Sequence, residues 1–296
     1  MGTNGSSLEG VQIEEIEGRQ YTCVKSVAAP TALILCLHGG KGSAKHFRDS
    51  VGHQFEATLG ILVVYPDGGV KGGGWSDGRV AGDTRSEVEF LTKIISREKA
   101  RFPSIRQVCC TGMSNGAMMT FAMMREHTGL IDCYAPVCGL LPRWTDGSSL
   151  PANIQGAKVV LIVGMQDRFI PVGGGAVGRV LRSQQSLQGG ALKPWEQRRE
   201  ARVKEIRGEV RSLEDTCGAL EAMLGVRISD RKPLGSGRTY SAEERKSEDG
   251  RLRVITVQEM GHSWPGSVGF ATWIPGVGTT ATFSAGEEIL ATLLND

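Results

Sequence analysis

Several features are scarce or missing in this chain of 296 residues, and each absence excludes a class of protein. No run of about eighteen apolar residues occurs, so we expect no membrane-spanning helix. Thirty-four Lys and Arg face 32 Asp and Glu, and the resulting net charge of +2 argues against a broad nucleic-acid-binding surface. Neither a Cys-x-x-Cys motif nor a paired His/Cys spacing is present, so the sequence predicts no metal site.

The beginning of the chain is predicted to carry neither a secretory signal nor a lipid anchor. Residues 1–7 lack a basic segment followed by an apolar one, so we do not expect an intact secretory signal there. Gly2 and Ser6 fit the loose N-myristoylation pattern, but no polybasic patch follows as a second anchor, which favours a flexible tail.

The cysteines are odd in number, and most of them lie inside apolar runs. This placement is typical of small buried hydrophobic residues with free thiols, and it favours a reducing compartment such as the cytoplasm. The seven positions are Cys23, Cys36, Cys109, Cys110, Cys133, Cys138 and Cys217.

Short apolar segments alternate with helix-like segments along most of the chain. The alternation predicts an α/β fold with a mostly parallel central sheet and helices on both faces, formed by 1–296 as one domain. Two leading segments near 11–17 and 20–26 alternate polar and apolar residues, as an antiparallel hairpin does. The predicted strands are 31–37, 59–65, 105–111, 131–138, 158–164 and 252–258, and the predicted helices include 86–101, 115–127 and 284–294.

Residues 179–251 form an insertion that is dense in charge of both signs and a candidate lid. Apolar residues spaced by three and four predict one amphipathic helix over 195–224, and the polar segment 227–251 is interpreted as a mobile loop. Two interpretations of the apolar seam stay open: it packs on the sheet, or it pairs with a second copy or another partner. The seam residues are Val203, Ile206, Val210, Leu213, Cys217, Leu220 and Leu224.

The most informative motif is the Gly-x-Ser-x-Gly at 112–116. It lies between a strand-like apolar segment and a segment rich in helix formers, which is typical of a nucleophile elbow that raises Ser114 into a cleft. On the pattern alone, a serine in an ordinary glycine-rich turn is an equal alternative. The partners of Ser114 therefore decide between the two.

A second glycine motif, Gly-x-Gly-x-x-Gly at 173–178, has a simpler interpretation. A dinucleotide site places this motif directly at a strand-to-helix turn. Here several residues, including Pro171, separate the glycines from the preceding strand. We interpret them as loop glycines and predict no cofactor.

Two further residues complete a catalytic triad with Ser114. A serine hydroxyl needs a general base, and the base needs a carboxylate that orients it. Asp167 follows the strand 158–164 and His262 follows the last strand, both at positions where sites form in open α/β sheets. The order Ser, Asp, His is that of the α/β-hydrolases, and only His262 among the five histidines lies beyond both partners.

Backbone N–H groups near Ser114 are expected to bind the oxyanion of an acyl-transfer intermediate. One is the N–H of Asn115, directly after the nucleophile. The other comes from the loop His38-Gly39-Gly40 after an early strand, where glycine lets the backbone approach the substrate, and we assign it to Gly40. In this interpretation His38 is structural and is not the base.

These residues carry a resemblance to the polyhydroxybutyrate depolymerase and feruloyl or acetylxylan esterase group of the α/β-hydrolase superfamily, over roughly residues 30 to 294. The resemblance implies a serine esterase with Ser114, Asp167 and His262 as its triad, in a family that is commonly secreted. Two departures are Ser86-Glu87, where members often carry Asp-Asp, and the absence of a cysteine pair that would begin near 224–226. The matching segments are 37–44, 63–68, 75–78, 111–119, 135–137, Asp167 with Pro171 and 173–175, and 261–266.

The predicted function is a cofactor-independent carboxylic ester hydrolase that acts through an acyl-enzyme on a small or polymeric ester. Gly39, Trp75 and Trp264 are candidates for its substrate pocket, although either tryptophan could instead pack under a loop. Two alternatives stay open: a non-catalytic protein of the same fold that binds partners through 179–251, and a serine peptidase of the same fold.

Overall fold

The computed structural model describes residues 9–126, 129–178, 194–237, 240–268 and 283–294. The predicted N-terminal tail with Gly2 and Ser6 lies outside these residues. The strands, numbered in chain order, are β1 (Glu9–Ile16), β2 (Arg19–Lys25), β3 (Ala32–Leu37), β4 (Ile61–Pro66), β5 (Gln107–Met113), β6 (Cys133–Val137), β7 (Lys158–Gly164), β8 (Gly175–Ala176), β9 (Glu209–Val210), β10 (Lys232–Gly237), β11 (Tyr240–Lys246) and β12 (Leu252–Val257).

Six α-helices accompany these strands in the described ranges. The predicted helix over 284–294 begins where Ser284 accepts a hydrogen bond from the N–H of Glu287, at 3.2 Å, and so caps the first turn. The helices are α1 (Ala44–Val51), α2 (Thr84–Arg101), α3 (Asn115–Arg125), α4 (Pro194–Arg207), α5 (Leu213–Leu224) and α6 (Ala285–Leu294). None of them is long and apolar enough to cross a membrane.

An open ten-stranded sheet organises the described part of the chain, in the order β1-β2-β4-β3-β5-β6-β7-β12-β11-β10. The six strands from β4 to β12 in this order pair in parallel, and the pairs at both ends of the sheet are antiparallel. The predicted parallel sheet and leading hairpin are confirmed. All carboxyl ends of the parallel strands therefore lie at one edge, where catalytic loops can meet.

Both faces of the sheet are covered by helices, which explains why the central strands are apolar throughout. Alternate residues of β3 enter different cores: Leu33 and Leu35 face the core beneath α2, α3 and α5, whereas Ile34 and Cys36 face the core beneath α1 and α6. All six residues of β3 are buried. The two cores hold the sheet rigid between them.

The cysteines lie within these cores, and all seven are buried free thiols, as the sequence predicted. Burial is the main cause that raises the pKa of the Cys217 thiol to about 11 and that of Cys110 to about 12. A thiol in this state is a poor nucleophile near neutral pH. These two cysteines therefore serve packing.

The prediction of one helix over 195–224 is wrong, because the chain breaks between α4 and α5. Gly208 adopts φ +70°, and a Cβ at this position would lie 2.5 Å from the carbonyl oxygen of Arg79, so only glycine fits. The break gives the two halves of the apolar seam different surroundings: Ile206 is 61% exposed, whereas Val210 and Leu220 are fully buried. The second half of the seam packs on the sheet. The side chain of Val203 lies outside the described residues.

The interpretation of 227–251 as a mobile loop is also wrong. Strands β10 and β11 form an antiparallel hairpin that extends the sheet beyond β12. The sequence did not predict these strands because an outer hairpin needs few apolar residues. On β11, Ala242 is buried in the core beneath α1 and α6, while Glu244 forms an ion pair with Arg253.

We predict that Leu220→Ala lowers the free energy of unfolding by about 2–5 kcal/mol, because it removes a fully buried side chain from the core. Ile206→Ala, the matched control from the exposed half of the seam, should change it by less than about 0.5 kcal/mol. Urea unfolding of both variants measures the two values. Similar losses in both would show that the seam is one buried face after all.

Candidate active site

Ser114 occupies a strained turn between β5 and α3. Its backbone lies at φ 58° and ψ −117°, a region that costs a non-glycine residue about 1–3 kcal/mol. The turn is this tight because α3 starts against the end of β3. A Cβ on Gly116 would lie 2.2 Å from the carbonyl oxygen of Leu37 and 2.6 Å from that of His38. Glycine is required there, and the serine is raised above the carboxyl edge of the sheet.

Asp167 and His262 form a hydrogen-bonded pair at the same edge. Asp167 follows β7 and His262 follows β12, and these strands are parallel neighbours. The Nδ1 atom of His262 lies 2.7 Å from Oδ2 of Asp167, whose side chain is 1% exposed. An imidazole whose Nδ1–H donates to a carboxylate keeps its lone pair on Nε2, the atom that a general base needs.

The backbone fixes the other oxygen of Asp167. Oδ1 accepts hydrogen bonds from the N–H groups of Phe169 and Ile170, at 2.8 and 2.9 Å. The Phe169 ring then lies beside the His262 imidazole, with ring centroids 5.2 Å apart. Phe169 was not predicted, although an aromatic residue two positions after a candidate carboxylate was a visible signal.

Cys138 ties the histidine loop to the end of β6, between the strands that carry Ser114 and Asp167. Its thiol donates to the carbonyl oxygen of Ser263 at 3.0 Å, directly after His262. Burial is the main cause that raises the pKa of this thiol, with a further contribution from the charge of Asp167. Cys138 thus supports the loop as a neutral hydrogen-bond donor.

The predicted oxyanion loop lies beside Ser114. A Cβ on Gly39 would lie 3.6 Å from Cβ of Ser114, and one on Gly40 would lie 3.7 Å from Cβ of Asn115. The backbone N–H groups of Gly40 and Asn115 donate to no acceptor within the described ranges. Both N–H groups are therefore available to a ligand.

Both ring nitrogens of His38 are committed to the backbone. The N–H of Gly68 donates to Nε2 at 3.0 Å, which leaves Nδ1–H to donate to the carbonyl oxygen of Gly39 at 2.8 Å. Burial lowers the pKa of His38, in agreement with this neutral form. His38 therefore shapes the loop and has no free lone pair for a proton.

The side-chain amide of Asn115 holds a neighbouring loop in place. Its Oδ1 accepts from the N–H of Trp75 at 2.7 Å, and its Nδ2 donates to the carbonyl oxygen of Trp75 at 3.0 Å. The indole N–H of Trp75 donates to the carbonyl oxygen of His38 at 2.8 Å. The assignment of Trp75 to a pocket wall is wrong: the ring is 4% exposed and packs under the oxyanion loop.

The assignment of Trp264 to a pocket wall is wrong as well. The ring is fully buried in the core beneath α1 and α6, with its edge against Phe47 and Phe55 at centroid distances of 5.5 and 6.2 Å. Its indole N–H donates to Gln54 at 3.0 Å. Trp264 instead anchors the loop that carries His262, two residues earlier in the chain.

Comparison with known proteins identifies the fold. No protein-family model and no curated protein matches the chain. The solved structure of acetyl xylan esterase from Aspergillus awamori superposes with a TM-score of 0.56 at 15% sequence identity, covering 88% of this chain and 95% of that chain. The fold is that of the α/β-hydrolases.

Two carboxylesterase structures match shorter parts of this chain. One, from Mesorhizobium loti, has 15% identity and a TM-score of 0.44 and covers 54% of this chain and 78% of that chain. The other, from Bacillus cereus, has 18% identity and a TM-score of 0.42 and covers 52% and 74%. In the described residues of this chain, no group of three or more His, Cys, Asp or Glu could hold a metal ion.

We predict that protonation of His38 destabilises the folded protein. Because its pKa is lowered in the folded state, the unfolded chain takes up the proton first, so the free energy of unfolding falls as pH decreases through about 6.5. Urea unfolding at about pH 7.5 and about pH 5.5 measures the fall. In His38→Gln, which keeps an acceptor for the N–H of Gly68, the fall should be smaller. An equal fall in both proteins would contradict the prediction.

Proposed function

We propose that this protein is a carboxylic ester hydrolase that works through a serine acyl-enzyme. One observation carries the proposal: the buried pair of Asp167 and His262, 2.7 Å apart, lies at the same sheet edge as the strained Ser114. A carboxylate that is out of water and bonded to an imidazole has the arrangement that activates a serine hydroxyl.

The reaction follows from these positions. The Oγ atom of Ser114 attacks the acyl carbon, and its proton passes to Nε2 of His262, whose positive charge Asp167 stabilises. The oxygen of the tetrahedral intermediate takes up negative charge and accepts hydrogen bonds from the N–H groups of Gly40 and Asn115. The intermediate expels the alcohol, which receives the proton from His262. Water then attacks the acyl-enzyme by the same steps and releases the acid.

Short acyl groups are the substrates that we propose to test first. The solved structure that superposes with a TM-score of 0.56 is an acetyl xylan esterase, and the sequence resembles feruloyl esterases and polyhydroxybutyrate depolymerases. Acetylated xylan, a feruloyl ester and hydroxybutyrate oligomers therefore belong beside p-nitrophenyl acetate and butyrate in one panel. A matched peptide amide tests the peptidase alternative, because amides have the poorer leaving group.

We predict that Ser114→Ala lowers kcat for p-nitrophenyl butyrate on the order of a million-fold, because it removes the attacking oxygen. Asp167→Asn should lower it by about ten-thousand-fold, because the imidazole then takes the wrong tautomer. An absorbance assay of p-nitrophenol release measures both rates.

Ser229→Ala is the matched control for the serine substitution, since Ser229 is exposed and its hydroxyl bonds to the carbonyl oxygen of Asp230. It should keep the rate of the unsubstituted protein. If Ser114→Ala also kept that rate, the proposed mechanism would be refuted.

A further inference from the structure

We propose that Asp77 and Arg79 are positioning residues for the oxyanion hole. This inference rests on the proposed function. In this proposal the segment 73–77 holds the N–H groups of Gly40 and Asn115 at a fixed separation. The ion pair between Asp77, at the end of the segment, and Arg79 keeps the segment in place. None of the residues in this segment is part of the triad.

The segment 73–77 contacts both halves of the oxyanion hole. On the side of Gly40, the carbonyl oxygen of Gly73 accepts from the N–H of Lys41 at 2.7 Å, and the indole of Trp75 donates to His38. On the other side, the backbone of Trp75 makes two hydrogen bonds with the Asn115 amide. The two donors come from different strand ends, so this segment is a direct bridge between them.

Asp77 closes the bridge on the nucleophile side. Its Oδ2 accepts a short hydrogen bond, 2.6 Å, from Nδ2 of Asn115, and its side chain is 3% exposed. A carboxylate this deeply buried needs a cation, and Arg79 supplies one: Nε and Nη2 of Arg79 lie 2.8 Å from Oδ1 and Oδ2. The backbone N–H of Arg79 adds a bond to Oδ1 at 3.1 Å.

Arg79 and Asp77 are in turn fixed to the surrounding fold. Nη1 of Arg79 donates to the carbonyl oxygen of Arg207 at 2.8 Å, at the last residue of α4, where the helix dipole favours a positive charge. The indole of Trp144 donates to the carbonyl oxygen of Asp77 at 2.9 Å. The side chains of Asn115, Asp77 and Arg79 therefore form one continuous connection from the start of α3 to the end of the insertion helix α4.

Loss of this connection should weaken transition-state binding more than substrate binding. A donor that is displaced by about 1 Å can cost a hundred-fold in rate, whereas the ester in its ground state makes little use of the oxyanion hole. The expected signature is a lower kcat with an unchanged KM. A purely structural role would instead reduce the number of folded active sites and leave the turnover of each site unchanged.

The experiment compares Arg79→Gln, Asp77→Asn and Arg79→Lys with the unsubstituted protein on p-nitrophenyl butyrate. A fluorophosphonate titration run to completion counts active sites by its end-point, so that kcat refers to folded protein. For Arg79→Gln and Asp77→Asn we expect kcat to fall about 10- to 100-fold and KM to stay within about twofold. The inhibition constant of an alkyl trifluoromethyl ketone, which forms a tetrahedral adduct with the serine, should rise by the same factor as kcat falls. Arg79→Lys keeps the charge without the paired contacts, so its kcat should lie between those of the two neutral variants and that of the unsubstituted protein.

Arg253→Gln is the matched control. Arg253 is as buried as Arg79 and pairs with Glu244 and Glu288, but it lies at the end of β12 away from His262. Its kcat per active site should stay within about twofold. An unchanged kcat in Arg79→Gln and Asp77→Asn, or a loss equal to that of the control, would overturn the inference. If a neutral variant does not fold, an unchanged kcat in Arg79→Lys overturns it equally. An unsubstituted protein that neither hydrolyses the ester nor binds the ketone would refute the proposed function itself.

Discussion

The site depends on the close approach of the start of α3 to the end of β3. Because Gly116 has no side chain, the helix begins against the carbonyl oxygens of Leu37 and His38, and the turn before it leaves Ser114 at a positive φ. The same approach brings the loop after β3 beside the serine, with Gly39 next to Ser114 and Gly40 next to Asn115. One steric constraint thus fixes the proposed nucleophile and the expected oxyanion hole together.

The remaining polar groups of the site are held mainly by backbone atoms. Asp167 is fixed by two amide N–H groups, His38 by Gly68 and Gly39, and Asn115 by both backbone groups of Trp75. A hydrogen bond between a side chain and the backbone orders one side chain rather than two, so its entropy cost is smaller, and it leaves the bound group few ways to reorient. Two buried tryptophans add further support: the indole N–H of Trp75 donates to the carbonyl oxygen of His38 in the loop after β3, and the indole N–H of Trp264 donates to the side chain of Gln54.

The sequence predicted the central sheet and the positions of Ser114, Asp167 and His262 just after its strands, because both produce strong local patterns: apolar strands between glycine-rich ends, and polar residues that follow them. It did not predict Trp75 and Trp264 as buried supports, since an aromatic residue near a motif can equally line a pocket. The helix over 195–224 was wrong because the periodicity continues through Gly208, and only the tertiary contact with Arg79 shows why the chain must turn there. The strands after 227 were not predicted for a similar reason: β11 pairs with β12 and β10 pairs with β11, and this pairing, rather than their own hydrophobicity, makes them strands.

The most direct measurement of the central claim is the identity of the residue that becomes covalently modified. A fluorophosphonate reacts with a serine only where a base and an oxyanion hole activate it. Mass spectrometry of the labelled, digested protein should place one phosphonyl group on Ser114, and the label should be lost in the His262→Ala variant. A label on another residue, or no label on the folded protein, would contradict the account.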